Sequence, residues 1–207
     1  MQSGRLLRVS ELKIMNNNKV ILVHGWEGSS DQDWRPWLKY KLERHGYEVV
    51  VPQMPDSMHP AMMSWVKKLA ESVGETDQDV YFVGHSLGCI AILRFLENVR
   101  PDLSIRGSIL VAGFGEDLHY DGYEGELSSF FSTTLDWDRI KARCLKFVSV
   151  HSSNDKWVDI SNSELFEKRL GAKKIIMDNM GHFSGSDGLI EVPFIYDELL
   201  TLMTECS

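Results

Sequence analysis

Short apolar runs alternate with longer amphipathic stretches along most of the chain. The runs are apolar on consecutive positions and rich in Val and Ile, as is typical of strands buried on both faces of a sheet. They are Val20–Val23, Glu48–Val51, Val80–Val83, Gly107–Val111, Leu145–Val150 and Lys173–Met177. Helical periodicity in the remaining stretches predicts helices near residues 34–45, 60–73, 86–99, 161–170 and 190–203.

This alternation predicts an α/β fold: a three-layer αβα sandwich whose mostly parallel sheet has about six strands. A chain of 207 residues is long enough for one core, and we expect a single domain over residues 19–207. Residues 1–18 do not share the pattern. They are expected to be a short helix, a disordered arm, or residues that precede a native start at Met15.

The segment from Gly113 to Asp136 interrupts the alternation. It contains several glycines and acidic residues and two adjacent phenylalanines, without a clear period. It leaves the carboxyl end of the fourth predicted strand, the edge where ligands bind in open α/β sheets. It is therefore either a lid or pocket wall, or a long surface loop.

The third apolar run leads into Gly84-His85-Ser86-Leu87-Gly88, which a predicted helix follows. This is the G-x-S-x-G pattern of a nucleophile elbow in its strand-to-helix context. The serine of such an elbow occupies a strained turn, and glycines flank it because larger side chains would collide with the neighbouring strand and helix. The alternative is a glycine-rich turn whose serine merely caps a helix. The context favours Ser86 as a catalytic nucleophile.

A serine hydroxyl needs an imidazole to take its proton and a carboxylate to orient that imidazole. In α/β hydrolases the chain order is serine, acid, histidine. Three histidines follow Ser86. His119 lies in the irregular segment and His151 precedes the acid that this order requires, so His182 is the predicted base.

Three aspartates are candidates for the acid. Asp155 follows the fifth predicted strand and would emerge at the same edge of the sheet as His182. Asp159 is expected to cap the helix that starts near Ser161, and Asp178 is too close in sequence to reach back to Nδ1 of His182. Asp155 is therefore the favoured acid.

The first predicted strand ends in the sequence HGWEGS, residues 24–29. A His-Gly pair at this place shapes the loop that supplies an oxyanion donor, so the backbone N–H groups of Trp26 and Leu87 are the predicted oxyanion hole. His24 is expected to be a hydrogen-bonding loop residue. The spacing of Gly25 and Gly28 matches no nucleotide-binding fingerprint.

Charge and composition narrow the partners. The net charge of −8 argues against binding to nucleic acid or to an acidic membrane surface. No stretch approaches the roughly 18 apolar residues of a membrane span. Three cysteines without CxxC spacing fit a reduced, cytoplasmic location. We expect no metal and no cofactor; the expected partner is a small-molecule acyl substrate, and protein partners are unknown.

With these residues placed, the chain resembles the small serine hydrolases of the retinoblastoma-binding protein 9 and YdeN type. The resemblance runs from about Val20 to Leu200 and covers nearly the whole chain. It rests on HGWEGS, on Trp34-Arg35-Pro36-Trp37, on Pro52-Gln53-Met54-Pro55 with Trp65, on GHSLG, on Phe131 with Asp136-Trp137, and on GHFSGSDGLIEVPF at residues 181–194.

The resemblance implies a compact α/β-hydrolase fold with a triad carried onto Ser86, Asp155 and His182. Relatives often show two aspartates and a proline after the fifth strand, where this chain has Asn154-Asp155-Lys156, which leaves Asp155 as the candidate acid. The L-x-C-x-E motif for retinoblastoma binding is absent, since residues 87–91 end in alanine. That partner is not carried over.

The expected activity is hydrolysis of a small ester, thioester or amide through an acyl-enzyme. A non-catalytic binding protein on the same fold and an acyltransferase with the same triad are the alternatives. Trp26, Trp157 and Phe183 flank the three catalytic loops and could line a substrate pocket. Trp34, Trp37 and Trp65 are expected in the core.

Overall fold

Six parallel strands form one sheet in the computed structural model, which describes residues 17–103, 105–119 and 125–206. The sheet order is β2-β1-β3-β4-β5-β6, and every neighbouring pair is parallel. The strands are β1 (Asn18–Val23), β2 (Glu48–Val50), β3 (Asp79–His85), β4 (Ile105–Val111), β5 (Lys146–Ser152) and β6 (Lys173–Met177). The predicted α/β fold and parallel sheet are confirmed, whereas the expectations for residues 1–16 lie outside the described residues.

Helices cover both faces of this sheet. They are α1 (Arg35–Arg44), α2 (Met62–Val73), α3 (Leu87–Asn98), α4 (Ser128–Phe131), α5 (Trp137–Arg143), α6 (Ser161–Leu170) and α7 (Pro193–Glu205). Alternate residues of β1 enter two separate apolar clusters: Ile21 and Val23 pack with α2 to α6, whereas Val20 and Leu22 pack with α1 and α7. The sheet is therefore the middle of three layers, because each strand buries both of its faces.

The helices α4 and α5 were not predicted. Both are short, four and seven residues, so neither spans enough turns to show a periodic pattern. Asp136 is the N-cap residue of α5, and its side chain accepts a hydrogen bond from Arg139 N at 3.0 Å. The irregular segment from Gly113 to Asp136 thus contains a helical turn and ends in a capped helix; its residues 120–124 lie outside the described part.

A buried arginine anchors the second half of this irregular segment. Arg94 of α3 is 3% exposed, and its Nε donates to Phe130 O at 2.8 Å. Its Nη2 donates to Thr133 O, and its Nη1 lies 2.8 Å from a carboxylate oxygen of Glu97. The guanidinium therefore ties two backbone carbonyls to α3 and neutralises a nearly buried carboxylate.

We expect Arg94→Met to lower the free energy of unfolding by roughly 3–5 kcal/mol, because it leaves the Glu97 carboxylate buried without its partner. Arg100→Met is the matched control, since Arg100 forms an exposed ion pair with Glu75. The Arg100 side chain is 58% exposed and the Glu75 side chain 87%. Exposed pairs contribute about 1 kcal/mol or less. Urea unfolding of both variants measures the difference, and equal losses would contradict the role given to Arg94.

Candidate active site

Ser86 lies in a strained turn between β3 and α3. Its backbone has φ 53° and ψ −122°, a conformation that costs a non-glycine residue on the order of 1–3 kcal/mol. The flanking glycines have no space for a side chain. A Cβ atom on Gly84 would lie 2.7 Å from Ile92 Cδ1, and one on Gly88 would lie 2.6 Å from Val23 O. The turn therefore requires glycine at both positions.

Asp155 and His182 meet at the carboxyl edge of the sheet. The two oxygens of Asp155 lie 2.9 and 3.1 Å from Nδ1 of His182, and the Asp155 side chain is 1% exposed. Oδ1 also accepts from the backbone N–H groups of Trp157 and Val158, at 2.9 and 3.1 Å. Because an ionised carboxylate only accepts, Nδ1 carries the proton of the neutral imidazole and Nε2 is left as an acceptor.

Ser86 and His182 line the same two cavities, which lie on either side of the serine. The hydrogen bonds of the described residues do not include one between Ser86 Oγ and His182 Nε2. Such bonds are often long or poorly aligned without substrate and tighten when it binds. The side chain of His182 is 16% exposed, so its ring is accessible from these cavities.

The first cavity is mainly apolar. Its volume is about 190 Å³, and Ser86, Leu87 and His182 line it. Its other lining residues are Glu27 and six apolar residues, Trp26, Phe114, Leu118, Leu127, Trp157 and Val158. Three of these, Phe114, Leu118 and Leu127, come from the irregular segment, which therefore contributes a pocket wall. The cavity suits an apolar group of modest size attached to a carbonyl at Ser86.

The second cavity is polar. Its volume is about 180 Å³, and Glu27, Gln32, Asp33, Arg35 and Ser184 contribute to its walls. Arg35 is 1% exposed and donates to Asp33 Oδ2 at 2.8 Å. Burial lowers the pKa of Arg35 from its ordinary value, and the Asp33 carboxylate opposes this shift. The two charges form a pair, and the cleft can hold polar groups or water.

Two buried histidines support the site without facing substrate. His24 Nε2 accepts from Met54 N at 3.0 Å, so its Nδ1 donates to Gly25 O at 2.8 Å. His151 Nε2 lies 2.8 Å from Gly113 O. Burial lowers the pKa of both imidazoles, which stay neutral at neutral pH. His24 is thus a hydrogen-bonding residue of the loop after β1, as its place in the sequence suggested.

The structure places the other candidate aspartates away from His182 Nδ1. Asp159 Oδ1 accepts from Ser161 N at 2.8 Å, at the first residue of α6. Hydrogen bonds to Ser161 lower the pKa of Asp159. Asp178 is exposed. Neither carboxylate bonds to the imidazole, whose Nδ1 is taken by Asp155.

One residue expected in the substrate pocket lies elsewhere. Phe183 is fully buried in the core between the sheet and helices α1 and α7, with its ring 6.0 Å from that of Phe194. Its φ of 56° turns the chain directly after His182, so consecutive side chains leave in different directions. The prediction for Phe183 is wrong for this reason. Trp157, 54% exposed, does line the apolar cavity.

The described residues contain no group of three or more His, Cys, Asp or Glu side chains that could hold a metal ion. The three cysteines are all free and buried. None of the helices in the described part of the chain is both long and apolar enough to cross a membrane.

Comparison with known proteins agrees with this geometry. A family model described as "Serine hydrolase" matches residues 20–201. YdeN of Bacillus subtilis (strain 168), a hydrolase by name, is 30% identical over 187 residues, which cover 90% of this chain and 97% of YdeN. The serine hydrolase RBBP9 of Rattus norvegicus is 28% identical over 174 residues, which cover 83% of this chain and 85% of RBBP9.

Solved structures show the same fold. The crystal structure of the ydeN gene product from B. subtilis matches with a TM-score of 0.82 at 30% identity, covering 90% of this chain and 99% of that one. Est1E from Butyrivibrio proteoclasticus matches with a TM-score of 0.69 at 16% identity, covering 90% and 88%. The family match, over residues 20–201, includes Ser86, Asp155 and His182. The chain belongs to the serine hydrolase family.

Proposed function

We propose that this protein hydrolyses small esters, thioesters or amides with an apolar acyl group through an acyl-enzyme on Ser86. The observation that carries the proposal is the hydrogen bond between buried Asp155 and Nδ1 of His182, formed beside a serine in a strained turn. This arrangement leaves Nε2 of His182 as an acceptor, on a side chain that lines the same two cavities as Ser86.

In the proposed reaction Nε2 of His182 takes the proton of Ser86 Oγ as that oxygen attacks the substrate carbonyl. The backbone N–H groups of Trp26 and Leu87 stabilise the oxyanion. Leu87 is the first residue of α3, where N–H groups have no partner within the helix and the helix dipole is positive. His182 then returns the proton to the leaving group. A water molecule, deprotonated in turn by Nε2 of His182, then attacks the acyl-enzyme and releases the carboxylic acid product from Ser86.

The two cavities are assigned to different parts of the substrate. The apolar cavity receives the acyl chain because most of its lining residues are aromatic or aliphatic. The polar cleft on the other side of Ser86 receives the leaving group and then the hydrolytic water, since its walls carry amide, carboxylate and hydroxyl groups. This division supports substrates with an apolar acid portion and a polar alcohol, thiol or amine portion.

Ser86→Ala is expected to lower turnover of an aryl ester by about 10⁴–10⁶-fold, because it removes the nucleophile. Its melting temperature should stay near that of the wild type, since one hydroxyl is lost. Ser72→Ala, in α2 and lining neither cavity, serves as the control with unchanged turnover. A Ser86→Ala variant with more than about a tenth of wild-type turnover would exclude the proposed nucleophile.

Asp155→Asn is expected to lower turnover by roughly 10⁴-fold, because an amide can donate to Nδ1 and so stabilise the unproductive tautomer of His182. Asp159→Asn and Asp178→Asn are the matched controls, and both should stay within about tenfold of wild type. Turnover is measured at one pH, with folding checked by circular dichroism. If Asp178→Asn is the inactive variant, the acid has been misassigned.

Leu127→Trp is expected to fill part of the apolar cavity and so to change the chain-length preference. Turnover of a hexanoyl ester should fall at least tenfold relative to that of the acetyl ester, because the longer chain loses its binding site. Leu145→Trp, at a position that is 60% exposed, is the control. An equal fold loss of turnover with the acetyl and the hexanoyl ester would contradict the assignment of this cavity to the acyl group.

A further inference from the structure

The backbone around His182 adopts an unusual conformation. Gly181 and Phe183 both have φ of 56°, and a Cβ on Gly181 would lie 2.2 Å from Asp187 Oδ1. A bulky residue such as Phe183 rarely occupies the left-handed region, and such a conformation persists only where surrounding contacts hold it. Contacts from other elements must therefore hold the His182 loop, residues 178–185.

Two side chains from distant elements donate to consecutive carbonyls of this loop. His85 Nε2 lies 2.7 Å from His182 O, and Trp34 Nε1 donates to Phe183 O at 2.9 Å. The rings of His85 and Trp34 also contact each other edge to face, with centroids 6.1 Å apart. The two donors form one packed unit beneath the loop.

His85 is a donor in this bond. A carbonyl oxygen only accepts, so Nε2 carries the ring proton. Burial, followed by the neighbouring His182 and Arg35, lowers the pKa of His85 to about 3, which keeps the ring neutral. His85 is 5% exposed and is one of the residues that line the polar cleft. A neutral buried donor of this kind holds the carbonyl of His182 without carrying a charge itself.

His85 also directly precedes Ser86 at the end of β3. The end of a central strand thus carries both the hydroxyl and the group that holds the histidine backbone. The Asp155 bond fixes the imidazole at Nδ1 only, whereas the His85 bond fixes the peptide from which the ring extends. Together with the hydrogen bond from His182 N to Asp187 Oδ2 at 2.9 Å, the two contacts restrain both the imidazole and its backbone.

We propose that His85 is a positioning residue for catalysis, which sets the place of the His182 imidazole over Ser86 through the His182 carbonyl, and that Trp34 supports it through the carbonyl of Phe183. The inference rests on the proposed function of Ser86 and His182. A displacement of about 1 Å in a catalytic group can lower turnover by on the order of 10²-fold. The effect is expected on kcat, because neither donor lines the apolar cavity and the His85 side chain is almost fully buried beneath the polar cleft.

The test compares His85→Leu, which removes the donor, with His85→Gln, whose amide reaches the position of Nε2. His85→Leu is expected to lower kcat by about 10–100-fold with KM within about threefold, and His85→Gln to recover to within about fivefold of wild type. Lys19→Met is the matched control, because Lys19 is likewise buried, with Nζ 3.0 Å from the carbonyl oxygen of Val73, and lies at the amino end of β1, away from the site. It should lose stability while keeping kcat within about threefold.

A second readout follows the imidazole itself. The proton NMR signal of His182 Nδ1–H should stay sharp in wild type and His85→Gln and broaden in His85→Leu well below its melting temperature. Trp34→Phe, which removes only the indole donor, should lower kcat by about three- to tenfold and replaces His85→Leu if that variant does not fold.

Wild-type kcat in His85→Leu, or equal losses in His85→Leu, His85→Gln and Lys19→Met, would overturn the positioning role. Those outcomes leave the proposed function intact if Ser86→Ala is inactive. An active Ser86→Ala instead overturns the proposed function, and the NMR signal alone then decides whether His85 holds the loop.

Discussion

The tight junction between β3 and α3 is the constraint on which the rest of the site depends. Ser86 has φ 53° there, and the backbone of β1 approaches α3 so closely that a Cβ on Gly88 would lie 2.6 Å from Val23 O. A Cβ on Gly25 would lie 3.0 Å from that of Ser86. The loop after β1, the start of α3 and the serine therefore converge at one point. The strain in the turn is compatible with folding because the strand before it, β3, and the helix after it, α3, are both buried.

Three of the histidines near the site are buried, whereas the side chain of His182 is partly exposed. His24, His85 and His151 are each 5% exposed or less, and each has a ring nitrogen within 2.8 Å of a backbone carbonyl. Burial lowers the pKa of all three. The His182 side chain, 16% exposed, has its inner nitrogen on Asp155 and its outer nitrogen towards the cavities. The buried imidazoles act as uncharged hydrogen-bonding groups, which suits the proposed mechanism, in which His182 is the single base.

Much of the architecture could be predicted from the sequence, because strands buried on both faces leave continuous apolar runs and the G-x-S-x-G pattern marks one strand end. The convergence of Ser86, Asp155 and His182 likewise follows from parallel strands that end at one edge. The walls of the apolar cavity could not be predicted, since Leu127 belongs to a segment without a period that Arg94 holds by tertiary contacts. Phe183 was misplaced because sequence adjacency to His182 does not reveal a left-handed turn between them.

The central claim is that Ser86 carries the acyl group during turnover. The most direct measurement is mass spectrometry of the intact protein, quenched in acid during reaction with a slowly deacylating aryl ester, followed by peptide mapping. We expect a transient mass increase equal to one acyl group, located on the peptide that contains Ser86 and absent from acid-quenched protein before substrate is added. Steady turnover with no adduct at any time point, or an adduct on a different residue, would contradict it.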